Sequence, residues 1–283
     1  SFENRSPLQL IKERLKVLGI PLLFGSFTSG ALVIYFATLF WERKGEGEAY
    51  FGADSVHLWF LENIIIYSLI FVLMLRYIPL LRNKSSFLSK LLAKPGGIFL
   101  FSIPIIYEGH LVETGYWREG NDYSLYVDTS HGFFLGAIWF LLGIILTSQG
   151  EAFWESNKIN WKIHAIFAFS LYIYRFLNEF EGVDDRIIAF ESFNFIFLAL
   201  GLGATYLNKE STQLNYYRTA IFPVYIVHFP IQYGLMLYFG GWDINPWIKY
   251  FLFLFLVCFL SLTFYHSIKN IKLIRPLFGL RNP

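Results

Sequence analysis

Long runs of apolar residues, separated by short polar segments, make up most of the chain. A helix that crosses the hydrocarbon core of a membrane needs about 20 predominantly apolar residues. Phe, Leu, Ile and Tyr dominate these runs, and strand-like alternation is weak, so helices are the elements that satisfy the backbone in lipid. The pattern predicts eight membrane-spanning helices near residues 18–40, 57–79, 96–111, 132–148, 161–177, 187–207, 217–239 and 247–267.

The composition supports a membrane protein over a soluble one. Of the 283 residues, 55% are hydrophobic and only 16% are charged, whereas about a quarter of the residues in a soluble domain carry charge. We therefore expect an all-α integral membrane protein, a bundle of about eight transmembrane helices that forms a single polytopic membrane domain over residues 1–283. The sequence has no basic tract with interleaved aromatic residues, which excludes nucleic acid as a partner.

The distribution of Lys and Arg predicts the orientation. If the segment before the first span is cytoplasmic, the cytoplasmic segments hold most of the 23 Lys and Arg residues. The segments on the other side are acidic, as at residues 179–185. The positive-inside rule then places both ends of the chain in the cytoplasm. The frequent Lys, Asn, Ile and Phe residues are typical of an AT-rich bacterial genome, so we expect the bacterial inner membrane.

Ionisable side chains inside the predicted spans are the first candidates for function, because a charge within the bilayer is costly. Most of them fall in the outer half of the predicted bundle, which predicts a polar cavity open to the outer face. They are His57, Glu62, Glu108, His110, His131, Arg175, Glu191 and, near the middle of its span, His228. Two further histidines, His164 and His266, lie at the cytoplasmic ends of spans and are expected at the membrane interface.

These residue types are compatible with several kinds of chemistry. His, Glu and Arg together are able to provide a general base, its orienting carboxylate and an anion-binding group. They serve equally in a proton relay, and Glu108 and Glu191 would also suit structural pairs with Arg175 or a His. The His residues lie on separate helices with no i, i+4 ligand pair, so no metal site is expected.

Five segments, taken in order, resemble one family of membrane enzymes. The segment at 57–71 begins His-Leu-Trp-Phe-Leu, and the segment at 222–235 contains a Tyr-x-x-His-x-Pro signature. The five are LIKERLKVLGIPLLFG at 10–25, HLWFLENIIIYSLIF at 57–71, HGFFLGAIWFLLGIIL at 131–146, FPVYIVHFPIQYGL at 222–235 and IRPLFGLR at 274–281. Together they resemble the acyltransferase-3 family of membrane acyltransferases, in the branch that includes glucan biosynthesis protein C.

The resemblance implies O-acyl transfer from a cytoplasmic acyl-CoA to a hydroxyl of a glycan or another carbohydrate at the outer face. It implies acyl-CoA as a co-substrate, no bound cofactor, and the lipid bilayer as the other partner. The catalytic candidates are His57 and His228, with Tyr225 on the path between the two faces. The substrate-binding candidates are Arg14 and Lys16 for the CoA phosphates, and Trp59, Glu108, His131 and Arg175 for the sugar.

The chain departs from the family pattern at its start. The family has about ten spans, and its first helix carries an Arg and, about ten residues later, the His regarded as catalytic. Residues 10–25 resemble the approach to the third family span, so we expect this chain to be the C-terminal part of a ten-helix acyltransferase without that His. Two alternatives stay open: a transporter or flippase for a glycan or lipid-linked intermediate, and a non-catalytic membrane subunit.

Overall fold

The computed structural model describes residues 7–74, 85–117 and 122–280, and every regular element within those ranges is helical. The predicted class, an all-α membrane protein, is confirmed. The helices of the described chain are α1 (Leu8–Glu42), α2 (Trp59–Met74), α3 (Ser86–Leu92), α4 (Ile103–Glu113), α5 (Ser130–Ser148), α6 (Glu151–Leu177), α7 (Asp185–Tyr206), α8 (Thr212–Phe239) and α9 (Pro246–Ile268). Short 3₁₀ turns precede α2 at Val56–Leu58 and α4 at Gly97–Ser102, and another lies near the C-terminus at Arg275–Phe278.

Among the described helices, five are long and apolar enough to cross a membrane: α1, α5, α7, α8 and α9. The helices Ser86–Leu92 and Gly97–Glu113 qualify only as a pair bent by 113°, which is either a broken span or a re-entrant loop. The apolar helix Val56–Val72 is shorter, and the end of the predicted span 57–79 lies outside the described residues. The predicted span 161–177 lies within α6, which is long but is not among the apolar five.

The chain divides into two compact units. Unit 1 comprises residues 3–72 and 211–283, and unit 2 comprises residues 73–210. In unit 1, α8 packs on α9 and α1 around a core that includes Leu58, Ile226 and Phe278. In unit 2, α7 packs on α6 and α4 around an apolar core in which Phe193 and Phe197 are almost fully buried. The single domain over residues 1–283 stays a prediction.

The helix α1 is continuous but contains two π-helical turns, Leu15–Gly19 and Ser26–Gly30. Turns of this kind are frequent at functional sites. In the second turn, the backbone of Asp54 comes so close that a Cβ atom on Gly30 would lie 1.9 Å from the Asp54 carbonyl oxygen. The Asp54 N–H also donates to the carbonyl of Ser26 at 3.3 Å. These contacts fix the loop that leads into the turn carrying His57.

We expect Gly30→Ala to lower the free energy of unfolding by about 1–3 kcal/mol, the usual cost of overpacking, because the new methyl group displaces the Asp54 backbone. The matched control is Gly19→Ala in the same helix, where the added Cβ meets only Leu15, at 3.9 Å. Thermal unfolding of the purified chain in detergent measures both variants. Equal melting temperatures would contradict the close approach at Gly30.

Candidate functional site

The carbonyl oxygen of Ile226 in α8 is the centre of a polar group in unit 1. A carbonyl inside an α-helix accepts from the N–H four residues later, but that residue is Pro230, which has no N–H. The oxygen accepts instead from Nε2 of His57 at 3.0 Å and from the hydroxyl of Ser29. One proline therefore ties α8 to the turn before α2 and to the second π turn of α1.

This bond also determines the tautomer of His57. Because a carbonyl oxygen only accepts, Nε2 carries the hydrogen and Nδ1 of the neutral ring is a lone-pair acceptor. The His57 side chain is buried, with 7% of the residue exposed, and its Nδ1 has no hydrogen-bond partner among the described residues. The ring stacks on Phe229 with centroids 4.8 Å apart. Tyr225 completes the group by donating its hydroxyl to the His57 carbonyl at 2.6 Å.

His228 lies edge-on to His57, with ring centroids 5.7 Å apart. Its Nδ1 donates to the carbonyl of Tyr225 at 2.7 Å, one turn back in α8. The Nε2 of the neutral His228 ring is therefore an acceptor. His228 is only half-buried, in contrast to His57. Of the two histidines, His228 is the better placed to contact a substrate, whereas His57 is locked into the protein.

The other candidates of unit 1 lie beside this group or apart from it. Trp59 follows His57 by two residues and is half-buried, with its ring edge-on to Phe60 at 6.2 Å. Arg14 and Lys16 are exposed near the start of α1. At about 1.5 Å per residue, they lie roughly 20 Å along the helix from Ser29. The structure thus brings His57, Tyr225 and His228 together and keeps the two basic residues separate from them.

The remaining substrate-binding candidates belong to unit 2, where Glu108 and His131 form a buried pair. Oε1 of Glu108 lies 2.5 Å from Nδ1 of His131, and the two residues are 1% and 3% exposed. Nε2 of His131 donates to the carbonyl of Tyr123 at 3.1 Å, and the indole of Trp117 donates to Oε1 of Glu108 at 3.0 Å. The network ties α4 and α5 to the described ends of the loop between them. Oε2 of Glu108 has no partner within the described residues.

Tyr123 extends the same network towards α7. Its N–H donates to the carboxylate of Asp185 at 2.8 Å, and the N–H of Asp185 donates to Glu113 at 3.0 Å. Burial, followed by the nearby charges of Glu108 and Asp185, raises the pKa of the Tyr123 phenol above its usual value. No sequence pattern indicates these roles for Tyr123 and Asp185, because Asp185 lies 62 residues from Tyr123 along the chain.

A second ion pair in unit 2 joins α6 and α7. Nη1 of Arg175 donates to Oε1 of Glu191 at 3.1 Å, and the guanidinium lies 5.4 Å from the centre of the Phe180 ring. The sequence left open whether Glu108 and Glu191 pair with Arg175 or with a His. In the structure Glu108 pairs with His131, and Glu191 pairs with Arg175. Sugar binding by Trp59, Glu108, His131 and Arg175 stays a prediction.

The expected interfacial position of His164 is wrong. The residue is 0% exposed, its Nδ1 lies 2.9 Å from Oδ1 of Asn194, and its ring packs 4.5 Å from that of Phe99. Its burial results from the packing of α6 against α7, and the sequence around His164 does not reveal that partner. His266 is exposed on α9.

Comparison with known families identifies the chain. The family model described as an acyltransferase domain, that of the acyltransferase-3 family, matches residues 1–266. The chain belongs to the acyltransferase-3 family. No curated protein and no solved structure matches it. The resemblance carried by the sequence motifs is thereby confirmed.

In this acyltransferase-3 protein, the segments that carry the resemblance concentrate in unit 1. The segments 10–25, 57–71 and 222–235 all fall there, whereas 131–146 lies in unit 2. The Tyr-x-x-His-x-Pro signature provides Tyr225, His228 and the Pro230 that frees the Ile226 carbonyl. We therefore take the group formed by His57, Tyr225 and His228 as the candidate active site.

We expect Glu108→Ala to lower the free energy of unfolding by about 3–5 kcal/mol, because it leaves the buried His131 and Trp117 without their shared acceptor. The matched control is Glu155→Ala, which breaks an exposed pair with Lys158 (2.5 Å) and is expected to cost less than about 1 kcal/mol. Denaturant unfolding of the chain in detergent measures both. A Glu108→Ala variant as stable as the control would contradict the role of Glu108 as the acceptor for both His131 and Trp117.

Proposed function

We propose that this protein transfers an acyl group from a cytoplasmic acyl-CoA to a hydroxyl of a glycan or another carbohydrate at the outer face of the membrane. Membership of the acyltransferase-3 family supports acyl transfer by a membrane protein. The observation that carries the proposal is the histidine pair of unit 1, in which a fixed, buried His57 lies against a half-buried His228 with an acceptor nitrogen.

In this proposal His228 is the general base. Its Nδ1–H remains on the Tyr225 carbonyl, while Nε2 removes the proton of the acceptor hydroxyl. The hydroxyl oxygen then attacks the thioester carbon and forms a tetrahedral intermediate. Collapse of that intermediate breaks the carbon–sulfur bond, and the His228 imidazolium returns the proton to the departing CoA thiolate. The products are an ester and free CoA, so atoms and charge balance.

His57 acts in this proposal as a positioning residue. Its Nε2–H is fixed on the Ile226 carbonyl and its ring is stacked on Phe229, so it forms a rigid wall against one edge of His228. A base must be held within a fraction of an ångström of its productive geometry for efficient proton transfer. That rigidity arises because Pro230 leaves the Ile226 carbonyl without its helical donor, and the carbonyl accepts from His57 instead.

The donor would approach along α1. With the start of α1 in the cytoplasm, as the loop charges predict, the exposed Arg14 and Lys16 meet the anionic CoA phosphates through charge-assisted hydrogen bonds. These residues lie roughly 20 Å along α1 from Ser29, so the pantetheine arm would extend along this helix towards the histidine pair. The thioester then lies at the level of the histidine pair.

We expect the complete protein that contains this chain, in nanodiscs with acyl-CoA and a linear glucan oligosaccharide, to release CoA thiol and form an acylated glucan. His228→Ala should slow this transfer by about 10²–10⁴-fold, the usual contribution of a general base. The matched control is His266→Ala, which replaces an exposed histidine of the same unit and should retain the wild-type rate. A thiol reagent and mass spectrometry follow the two products. A wild-type rate in His228→Ala would remove that residue from the site.

We expect Pro230→Ala to slow transfer by about 10²-fold, the scale of a 1 Å misplacement of a catalytic group, because the new N–H competes with His57 for the Ile226 carbonyl. Pro223→Ala replaces the other proline of α8 without restoring a bond to Ile226. Circular dichroism verifies that both variants remain helical. Equal rates in the two variants would show that the Ile226–His57 bond does not position the base.

One observation favours transport as a second candidate function. The helices Ser86–Leu92 and Gly97–Glu113 meet at 113°, and discontinuous helices commonly surround the substrate sites of transporters. Proteoliposomes with glucan on one side and acyl-CoA on the other distinguish the two functions. Passage of unmodified glucan without release of CoA thiol would replace the acyltransferase proposal, and neither passage nor thiol release would indicate a non-catalytic subunit.

A further inference from the structure

A cavity of about 780 Å³ lies inside unit 1, next to the histidine group. α1, α8 and α9 each contribute residues three or four positions apart, which places them on one face of each helix. Phe278 of the C-terminal 3₁₀ turn packs against rings from α1 and α9 at one end of it, at 5.4 Å from Phe24 and 5.1 Å from Phe264. Three helix faces and an aromatic end wall therefore line the space, which is open on the side where the lining residues Leu32 and Leu260 are exposed.

The lining of this cavity suits a hydrocarbon ligand. Its only hydroxyl-bearing residues are Thr28 and Ser29, and the other lining residues are apolar. Thr28 donates its hydroxyl to the carbonyl of Phe24 at 2.7 Å, and Ser29 donates to the carbonyl of Ile226. Both hydroxyl hydrogens are thus already used within the protein. A ligand here gains from apolar contact and finds little that recognises a polar group.

The size of the cavity suits a small hydrocarbon ligand. Ligand pockets in proteins measure about 300–1,000 Å³, and the volume of about 780 Å³ lies within that range. An alkyl chain of medium length therefore fits the available space.

The cavity shares a wall with the candidate active site. Ser29 and Pro230 line the cavity, and the same two residues determine the environment of the Ile226 carbonyl that holds His57. An alkyl chain in the cavity would therefore end close to the histidine pair. This continuity is what indicates a reacting chain rather than a structural lipid.

We propose that the cavity binds the alkyl chain of the acyl group being transferred, so that the protein prefers medium-chain acyl donors to acetyl donors. This inference rests on the proposed function and names its substrate class. Chain length has an upper limit, because Phe278 closes one end. Chemistry at the thioester is the same for every donor, so the preference arises from binding.

The first test varies the chain and the cavity together. In the wild-type chain, kcat/KM should rise about fourfold for each methylene between acetyl-CoA and octanoyl-CoA. Gly234→Leu should abolish the advantage of octanoyl-CoA and leave acetyl-CoA within about twofold of wild type. The glycine lines the cavity, and a Cβ there would first meet the Phe36 ring at 3.4 Å, so the larger side chain enters the cavity with little strain on the backbone.

The matched control is Gly143→Leu in α5, where an added Cβ meets nothing within 4 Å. It should keep the wild-type dependence on chain length. Equal kcat/KM for acetyl-CoA and octanoyl-CoA in the wild-type chain would overturn the inference while leaving the proposed function intact. Retention of the full preference for octanoyl-CoA by Gly234→Leu would also overturn the inference and leave the proposed function intact.

The second test measures binding without turnover. Octanoyl-CoA with a terminal diazirine is irradiated with the chain in nanodiscs, and labelled peptides are mapped by mass spectrometry. We expect labels at cavity residues such as Phe24, Ile231 or Phe278, and their loss in Gly234→Leu. Phosphatidylcholine with the same diazirine is the parallel probe. Labelling by the phospholipid alone would assign the cavity to bilayer lipid and overturn the inference, whereas cavity labelling by octanoyl-CoA without any transfer would refute only the proposed function.

Discussion

Pro230 removes the N–H that the Ile226 carbonyl would otherwise accept within α8, and inside a membrane that oxygen has no bulk water to turn to. A buried peptide carbonyl without a donor costs about 2–7 kcal/mol in an apolar environment. His57 and Ser29 satisfy it, and in doing so they bring three segments that are remote along the chain to one point. The tautomer of His57, its contact with His228 and one wall of the cavity all depend on this oxygen.

The buried ionisable groups of unit 2 show why polarity inside a span is not sufficient evidence of a functional site. Glu108 is paired with His131, and Arg175 with Glu191, so each costly charge has a partner on another helix. Such pairs offset the cost of desolvation and contribute little net stability. Oε2 of Glu108 and Oε2 of Glu191 also lack a partner among the described residues, but both residues are buried. His228 combines an acceptor nitrogen with partial exposure, and in our proposal that combination separates the base from the structural pairs.

The sequence predicts the helices of this protein better than it predicts their partners. The apolar runs that form α1, α5, α7, α8 and α9 are recognisable in the sequence, because hydrophobicity is a local property. The sequence also contains the pair Gly96–Gly97, but the 113° bend there depends on the left-handed conformation of Gly96 (φ 72°) and on packing. The burial of His164 depends on Asn194, thirty residues away on another helix. Pairings of this kind are tertiary, and no pattern within a single span indicates them.

In unit 1 a polar group and an apolar cavity meet at one backbone carbonyl, and in our proposal this boundary suits an acyl thioester better than a free glycan. An acyl thioester is itself divided in the same way, since its reactive carbon joins a hydrocarbon chain to a polar leaving group. A site that holds the chain through Ser29 and Pro230 and presents His228 at the boundary would fix that carbon between the two environments. A free glycan is polar along its whole length and would gain little from the apolar half. A lipid-linked intermediate has both halves but has no acyl thioester for His228 to act on, so release of CoA thiol is what separates it from the proposed substrate.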